Sequence, residues 1–342
     1  MILGSTAVRA RTWLLALLLC LAAPAAAAQA TVDTSGFAAT PPWKIGVSAG
    51  YLSNSWVVFA LQYIKYEASL HPEVGEIIVT DAGFDANKQV ADIEDLLSQG
   101  IDLLIFWAVD NESVQPALDR AASQGVPIVS VGEPSPLPQV TSQASIDQYA
   151  LGHLVAEHLA TDMNGQGGVV AMLPLPGTYA ATAQLEALND VLAANPGMQL
   201  LSVEYGQWSR SESKRITENL LLRYPRIDGV FSPSGQMSLG IAEAFDEAGR
   251  LDEVTFSPGD EYNGWLKWVA EHGQGGAVTF PTRAGQVAMQ LAVAILKGEP
   301  VPANEPVASE YVSPADNANW VELDRPDDWW ATELPEDWKP AP

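Results

Sequence analysis

The sequence alternates short apolar runs with amphipathic segments from residue 44 onward. The runs "KIGVSAG" (44–50), "EIIVTDAG" (76–83) and "IDLLIFWAV" (101–109) are each followed by a segment with helical periodicity. The third run has no polar alternation, which is typical of a strand that is buried on both faces. This order of strands and helices predicts a parallel sheet with helices on both sides.

A second series of the same kind follows residue 147. It contains the strand-like runs "GGVVAMLPLPG", "MQLLSVEYGQW", "IDGVFSPSG" and "EVTFSPGDE", with helical segments between them. Two series of this size predict an α/β fold with two Rossmann-like lobes and parallel sheets. The late segment "AVTFPTRAGQVAMQLAVAILKGE" is expected to return to the first lobe. We therefore predict a first lobe of residues 43–146 plus about 280–307, and a second of 147–279 plus about 308–320.

Residues 1–30, "MILGSTAVRARTWLLALLLCLAAPAAAAQA", have the layout of a secretory signal peptide. Two arginines precede a short apolar run that is too short to span a membrane, and small residues allow cleavage after Ala28 or Ala30. Lipid attachment at Cys20 is a weaker alternative, because the large Leu19 precedes it. The leader predicts a periplasmic protein whose mature chain has no cysteine, and therefore neither a disulfide nor a thiolate metal site.

The charge of the chain is strongly negative, with 17 basic and 42 acidic residues. Without Arg9 and Arg11 of the predicted leader, 15 basic residues remain against 42 acidic ones, a net charge of −27. Such a charge argues against binding to nucleic acids or to anionic membrane surfaces. It is the charge of a well-solvated acidic surface.

Common catalytic and cofactor motifs are absent from the sequence. It contains no HExxH, GxSxG or GxxxxGK[ST] motif, and no GxGxxG after a strand. His153 and His158 lie five residues apart on a predicted helix and do not share a face. We therefore predict no metal, no cofactor and no enzymatic activity. A carboxylate-pair hydrolase is not dismissed by counting acidic residues, but no spacing singles out a pair.

Ligands of open parallel sheets bind at the carboxyl ends of the strands. The side chains predicted there are aromatic rings, amides, hydroxyls and carboxylates, with no histidine and few positive charges. Indoles can stack on the CH faces of a polyhydroxylated ligand while the polar groups hydrogen-bond its hydroxyls. The alternative for any one tryptophan is packing in the core or at the rim. The candidate residues after the strands are Tyr51, Asn54, Ser55, Trp56, Trp107, Asp110, Glu133, Tyr179, Trp208, Ser234 and Asp260.

Several blocks occur in an order and spacing that resemble a known family. They include "VSAGYLSNSWVVFALQYIKYEA", "DANKQVADIEDLLSQGIDLLIFWAVD" and "RYPRIDGVFSPSGQMSLGIAEAFDEAG". Over residues 43–312 the chain resembles periplasmic solute-binding proteins of the ribose-binding type, which share their fold with the ligand-binding domains of LacI-like repressors. The resemblance implies a type I periplasmic binding protein fold with a multi-strand hinge. It also implies a monomer that closes on a sugar and delivers it to an ABC transporter permease.

The resemblance assigns ligand-binding roles to particular positions. Asn54 and Trp56 fall where the family has an asparagine and a sugar-stacking aromatic residue. Asp147 matches the aspartate of the first crossover, Trp208 the second stacking aromatic residue, and Asp260 the aspartate after the last strand of the second lobe.

At other positions the chain departs from the ribose-binding pattern. Gly132-Glu133 stands where ribose binders have Asp-Arg, and Gln184 stands where an arginine is expected. Ser234 replaces an asparagine and Thr279 a glutamine. Because the arginine clamps are missing, another pentose, a polyol or another small neutral solute fits better than ribose.

Two further expectations concern role and tail. The alternative to transport is a periplasmic accessory protein that presents its ligand-bound state to a membrane sensor kinase or chemoreceptor. A repressor is excluded, because the leader stands where a DNA-binding headpiece would be.

The acidic tail 321–342, "VELDRPDDWWATELPEDWKPAP", is expected to pack its indoles against a lobe. Whether it also lines the hinge is left open.

Overall fold

The computed structural model describes residues 30–330 and 334–335. The predicted leader therefore lies outside the described residues, except for Ala30, and so does most of the tail beyond Trp330. The strands are β1 (Thr31–Val32), β2 (Trp43–Ala49), β3 (Val74–Asp81), β4 (Leu103–Trp107), β5 (Ile128–Gly132), β6 (Ser142–Ser145), β7 (Gln166–Leu173), β8 (Gly197–Tyr205), β9 (Gly229–Phe231), β10 (Thr255–Phe256), β11 (Ala277–Val278), β12 (Val301–Pro302), β13 (Glu305–Pro306) and β14 (Tyr311–Val312). The α-helices are α1 (Ser55–Ser69), α2 (Ala86–Ser98), α3 (Asn111–Ser123), α4 (Gln148–Asp162), α5 (Tyr179–Ala194), α6 (Arg210–Arg223), α7 (Gly235–Glu247), α8 (Asn263–His272) and α9 (Ala284–Lys297).

The first lobe is built on a six-stranded parallel sheet with the order β13-β6-β5-β4-β2-β3. All five residues of β4 are buried, because helices cover both faces of the sheet. Leu103 and Ile105 belong to a core cluster that includes residues of α1 and α9. Leu104 and Phe106 belong to another cluster with residues of α2 and α3. Alternate residues of this continuous apolar run therefore pack in two different core clusters, as the lack of polar alternation in the sequence predicts.

The second lobe repeats the layout on a four-stranded parallel sheet with the order β10-β9-β7-β8. Alternate residues of β7 again face opposite sides of the sheet. Val169 and Ala171 pack in a cluster with residues of α4 and α5. Val170 and Met172 pack in a cluster with residues of α7. The α/β class with two parallel sheets is confirmed.

The chain passes between the two sheets at three places. The first is after β6, the second after β11, and the third lies between β13 and β14. The last two segments are joined, because β11 pairs antiparallel with β14. The Thr279 amide also donates to the Glu310 carbonyl at 2.9 Å, and the Glu310 amide donates to Thr279 Oγ1 at 2.9 Å. These crossovers form a multi-strand hinge.

One feature of the fold was not predicted from the sequence: β1 pairs antiparallel with β12, so the chain after the predicted leader is attached to the first lobe. β14 lies within the segment of about 308–320 that was expected in the second lobe, but as a two-residue strand it is too short for a periodicity to reveal it. Within residues 30–330, no helix is long and apolar enough to cross a membrane.

Candidate functional site

A cavity of about 320 Å³ lies between the two lobes, among residues that follow strands of both sheets. Trp56 enters it from the first lobe, and Trp208 and Asp260 enter it from the second. Ten of the fourteen residues predicted for the ligand site line this cavity. These are Tyr51, Asn54, Ser55, Trp56, Trp107, Glu133, Gln184, Trp208, Ser234 and Asp260.

Trp56 is held in place at the start of α1. Asn54 caps this helix, since its Oδ1 accepts a hydrogen bond from the Val57 amide at 3.0 Å. The Trp56 Nε1–H donates to the Phe280 carbonyl at 2.8 Å, which ties the indole to the second crossover. Gly132, with φ +93°, leaves room for the ring, because a Cβ there would lie 3.2 Å from it. The helix cap, the hydrogen bond to Phe280 and the space beside Gly132 therefore fix the position of Trp56, and its ring lines the cavity.

Trp107 and Tyr51 form a second rigid part of the first-lobe wall. Trp107 Nε1–H donates to the Tyr51 carbonyl at 3.2 Å. The Tyr51 ring stacks on Phe84 with a centroid distance of 4.1 Å. The buried Gln89 holds the adjoining loop, because its Nε2 donates to the Trp107 carbonyl and its Oε1 accepts from the Val109 amide, both at 2.8 Å. Ring positions that are set by such bonds are preorganised for a ligand.

Asp260 provides a buried carboxylate on the second-lobe side. Only 7% of the residue is exposed, and its Oδ1 accepts from the Gly235 amide at 2.8 Å and from the Tyr262 amide at 3.2 Å. It thereby satisfies an amide at the start of α7, a helix whose Ser234 side chain makes no capping bond. The carboxylate is positioned by the backbone and still lines the cavity.

Gln184 and Gln148 add an amide pair from α5 and α4. Gln184 Nε2–H donates to Gln148 Oε1 at 2.9 Å, and both residues line the cavity. The buried Gln184 Oε1 has no hydrogen-bond partner. An unpartnered buried acceptor costs about 1–3 kcal/mol, so this oxygen calls for a hydrogen-bond donor from a ligand or water.

The electrostatics of the cavity are acidic. Glu133 and Asp260 line it, whereas no lysine or arginine does so among the residues that the structure describes. Burial raises the pKa of each of these two carboxyl groups to about 7. Glu261 lies beside the cavity and accepts a hydrogen bond from the Phe280 amide at 2.5 Å. Burial raises the pKa of Glu261 to about 8. No cation compensates these groups within the cavity wall that is described.

The raised pKa values predict how the stability of the ligand-free protein depends on pH. Carboxyl groups of an unfolded chain titrate near pH 4, whereas Glu133, Asp260 and Glu261 hold their protons to about pH 7–8 when folded. The folded state therefore binds more protons over this window, and the free energy of unfolding should fall as the pH rises through it. Thermal unfolding at pH 5, 6.5 and 8 measures this slope.

Glu133→Gln should reduce the fall in the free energy of unfolding between pH 5 and pH 8, since it removes one of the three buried carboxyl groups. Asp324→Asn is the matched control, because Asp324 is exposed and lies outside the cavity. A melting temperature that stays constant or rises between pH 5 and pH 8 would contradict the prediction.

Four predicted site residues lie outside the cavity wall. Asp110 and Asp147 are exposed and cap helices: Asp110 Oδ2 accepts from the Ser113 amide at 2.7 Å, and Asp147 Oδ1 accepts from two amides of α4. Tyr179 is 45% exposed at the start of α5. Thr279 is buried in the hinge, where it bonds Glu310. Capping contacts account for Asp110 and Asp147 and the hinge contact accounts for Thr279, whereas Tyr179 lies on the surface.

The cavity also contains residues that sequence reasoning did not assign to the site. Gln148 directly follows Asp147, but nothing in the local pattern distinguishes it as the residue that faces inward. Phe280 lies in the second crossover, and Trp330 comes from the tail. The many tryptophans of the tail predicted that it packs against a lobe, but they did not predict that one of them lines the cavity. Among the described residues, no group of three or more His, Cys, Asp or Glu side chains could hold a metal ion.

Two lobes on parallel sheets, three crossovers and an interlobe cavity define the class of two-lobed solute-binding proteins. A family model described as "Periplasmic binding protein domain" matches residues 45–300, and the chain belongs to this family. A similar sequence is the ribose import binding protein RbsB of Bacillus subtilis (strain 168), with 29% identity over 209 residues, covering 61% of this chain and 67% of the relative.

Two solved structures show the same fold. The fructose-binding periplasmic domain of a hybrid two-component system is 25% identical, with a TM-score of 0.74, and the match covers 81% of this chain and 92% of that domain. An ABC transporter solute-binding protein from Bacillus halodurans C-125 with bound myo-inositol is 24% identical, with a TM-score of 0.75 and coverage of 82% and 98%. Relatives of this chain are named as binding proteins for a sugar, ribose, and for a polyol, xylitol.

Proposed function

We propose that this protein binds a small, neutral, hydroxyl-rich solute in the interlobe cavity and delivers it to an ABC transporter permease in the inner membrane. In this proposal the protein is a periplasmic monomer, exported by its leader, and makes or breaks no covalent bond. The observation that carries the proposal is a cavity shared by both lobes that combines indoles with hydrogen-bond acceptors.

The acceptors determine the chemistry of the proposed ligand. Glu133, Asp260 and Gln184 Oε1 offer oxygen atoms, and no cation lies beside them in the described wall. Above pH 7, where Glu133 and Asp260 lose their protons, an anionic ligand would be repelled, and an apolar one would leave the oxygens unpaired at about 1–3 kcal/mol each. Hydroxyl groups donate to all three, while Trp56 and Trp208 can cover the CH faces of a sugar or polyol. The absence of an arginine clamp favours a ligand other than ribose.

Relatives support the same class of ligand. The similar protein of Bacillus subtilis is named for ribose import, and the protein of Bacillus halodurans was solved with myo-inositol. The cavity of about 320 Å³ is of the size that holds a small ligand. Lobe closure around such a ligand would be the signal that a permease reads.

A thermal-shift screen against pentoses, hexoses, polyols and small amines tests the proposal. A ligand that binds only the folded protein stabilises it by about 2.7 kcal/mol at a hundredfold excess over Kd. We expect a positive shift with a neutral sugar or polyol. A panel in which only amines or no compounds shift the melting temperature would contradict the proposed ligand class.

Trp56 offers a direct readout of the same site. Trp56→Ala should reduce the ligand-induced change in tryptophan fluorescence and weaken binding, because it removes one of the four indole rings of the cavity wall that the structure describes. Trp268→Phe is the matched control, since Trp268 stacks on Trp265 in α8 and does not line the cavity. An unchanged titration of Trp56→Ala would remove Trp56 from the site.

A second candidate function is supported by one structural neighbour. The fructose-binding domain of a hybrid two-component system has the same fold, so the same closure can also signal to a sensor kinase or chemoreceptor. Neighbouring genes separate the two roles: permease and ATPase genes favour transport, and a sensor kinase gene favours signalling.

A further inference from the structure

The tail is anchored on the second lobe at the start of α8. Asn263 Nδ2–H donates to the carbonyl groups of Glu322 at 2.8 Å and Pro326 at 3.0 Å, and Asn263 Oδ1 accepts from the Glu322 amide at 2.9 Å. Asp327 forms ion pairs with Arg210 at 3.3 Å and Lys267 at 3.2 Å. Both cations belong to second-lobe helices, so this part of the tail is anchored on the second lobe.

The end of this segment reaches the first lobe. Trp330 Nε1–H donates to Ser55 Oγ at 2.7 Å, and the Trp329 ring meets Phe59 edge-on with a centroid distance of 4.9 Å. Ser55 and Phe59 are both residues of α1. Trp330 is only 5% exposed and also packs against Tyr262 of the second lobe. The segment therefore spans the opening between the lobes.

Trp330 is at the same time a part of the cavity wall. It lines the cavity together with Ser55, Trp56 and Asp260, which come from both lobes. A residue in this position can touch a bound ligand and can also stabilise the arrangement in which the lobes are together. A Trp side chain contributes a large apolar contact area to such a wall.

We propose that residues 320–330 form a strap from the second lobe to α1, and that Trp330 is a ligand-site residue whose contact with Ser55 forms only when the lobes are closed. The proposal rests on the proposed function, in which the interlobe cavity binds the solute. If the lobes separate while the tail stays on the second lobe, Trp330 leaves Ser55 and Trp329 leaves Phe59. These contacts therefore favour the closed form, and a smaller closed fraction raises the apparent Kd in proportion.

The first test measures binding by Trp330→Ala, with the tightest-binding compound of a panel that contains xylitol, myo-inositol, D-fructose and D-ribose. We expect Kd to rise at least tenfold, because a ligand contact and a closing contact are both lost. Trp330→Phe keeps a ring for packing but not the hydrogen bond to Ser55, and should give an intermediate Kd. Leu323→Ala is the matched control, since Leu323 lies in the same segment but is 71% exposed. Equal affinities of the wild type and Trp330→Ala would overturn the proposal.

The second test needs no ligand and separates the strap from the proposed function. Spin labels on Leu70→Cys and Leu222→Cys, at exposed positions of α1's end and of α6, report the distance between the lobes. Trp330→Ala should shift the ligand-free distance distribution toward longer values, whereas Leu323→Ala should leave it unchanged. If no panel compound binds the wild type, the proposed function fails. The distance between the spin labels in the ligand-free protein still shows whether the strap holds the lobes together. An unchanged distribution in Trp330→Ala would refute it.

Discussion

At pH 8, where the Asp260 carboxyl group is ionised, replacing Asp260 with asparagine is expected to lower the affinity for the ligand about a hundredfold. A hydrogen bond to a charged group contributes about 1.5–3 kcal/mol, and the carboxylate is a buried acceptor in the second-lobe wall. The asparagine Oδ1 can still accept from the Gly235 and Tyr262 amides, so the start of α7 stays capped. The ligand-free variant should melt at or above the wild-type temperature at pH 8, because the wild type holds a desolvated charge there.

Asp147→Asn is the matched control for this result. Asp147 is the other aspartate that the family resemblance assigns to the ligand site, but it is exposed and caps α4. Asparagine is also a good N-cap residue, so stability should change little. We expect wild-type affinity from Asp147→Asn in isothermal titration calorimetry. Wild-type affinity from Asp260→Asn, or a hundredfold loss from Asp147→Asn, would reverse the two assignments.

Gly285→Ala is expected to lower the free energy of unfolding by about 3 kcal/mol, since overpacking of a close contact costs about 1–3 kcal/mol or more. Gly285 lies in α9, where it crosses α1, and a Cβ atom there would be 2.0 Å from the Ala60 carbonyl oxygen. This neighbour is backbone, so the two helices must separate to admit the methyl group. Because α1 also carries Trp56, the variant should lose affinity as well as stability.

Gly36→Ala is the matched control for Gly285→Ala. A Cβ atom at Gly36 would meet nothing within 4 Å, so this variant should unfold at the wild-type denaturant concentration. Chemical denaturation followed by circular dichroism measures the free energy of unfolding of both variants. Equal midpoints for Gly285→Ala and the wild type would show that the helices do not need the close crossing.

The place of several site residues could be predicted because a parallel sheet gathers its strand ends at one edge. Trp56, Trp208 and Asp260 follow different strands, and all three line the same cavity. The direction of a side chain within its loop was less predictable. Asp147 satisfies the amides of Tyr149 and Ala150 at the surface, and its neighbour Gln148 faces the cavity instead. A local backbone bond thus decided which of two adjacent polar residues turned inward.

The order of apolar runs and amphipathic segments determined the two parallel sheets and the loops that meet between them. These features depend on local periodicity and on the handedness of strand–helix–strand units, which a single sequence displays. Only the tertiary structure decided that the tail crosses the cleft, since Trp330 bonds Ser55 at a separation of 275 residues. Such a contact depends on how the two lobes lie against each other, and no local pattern encodes that arrangement.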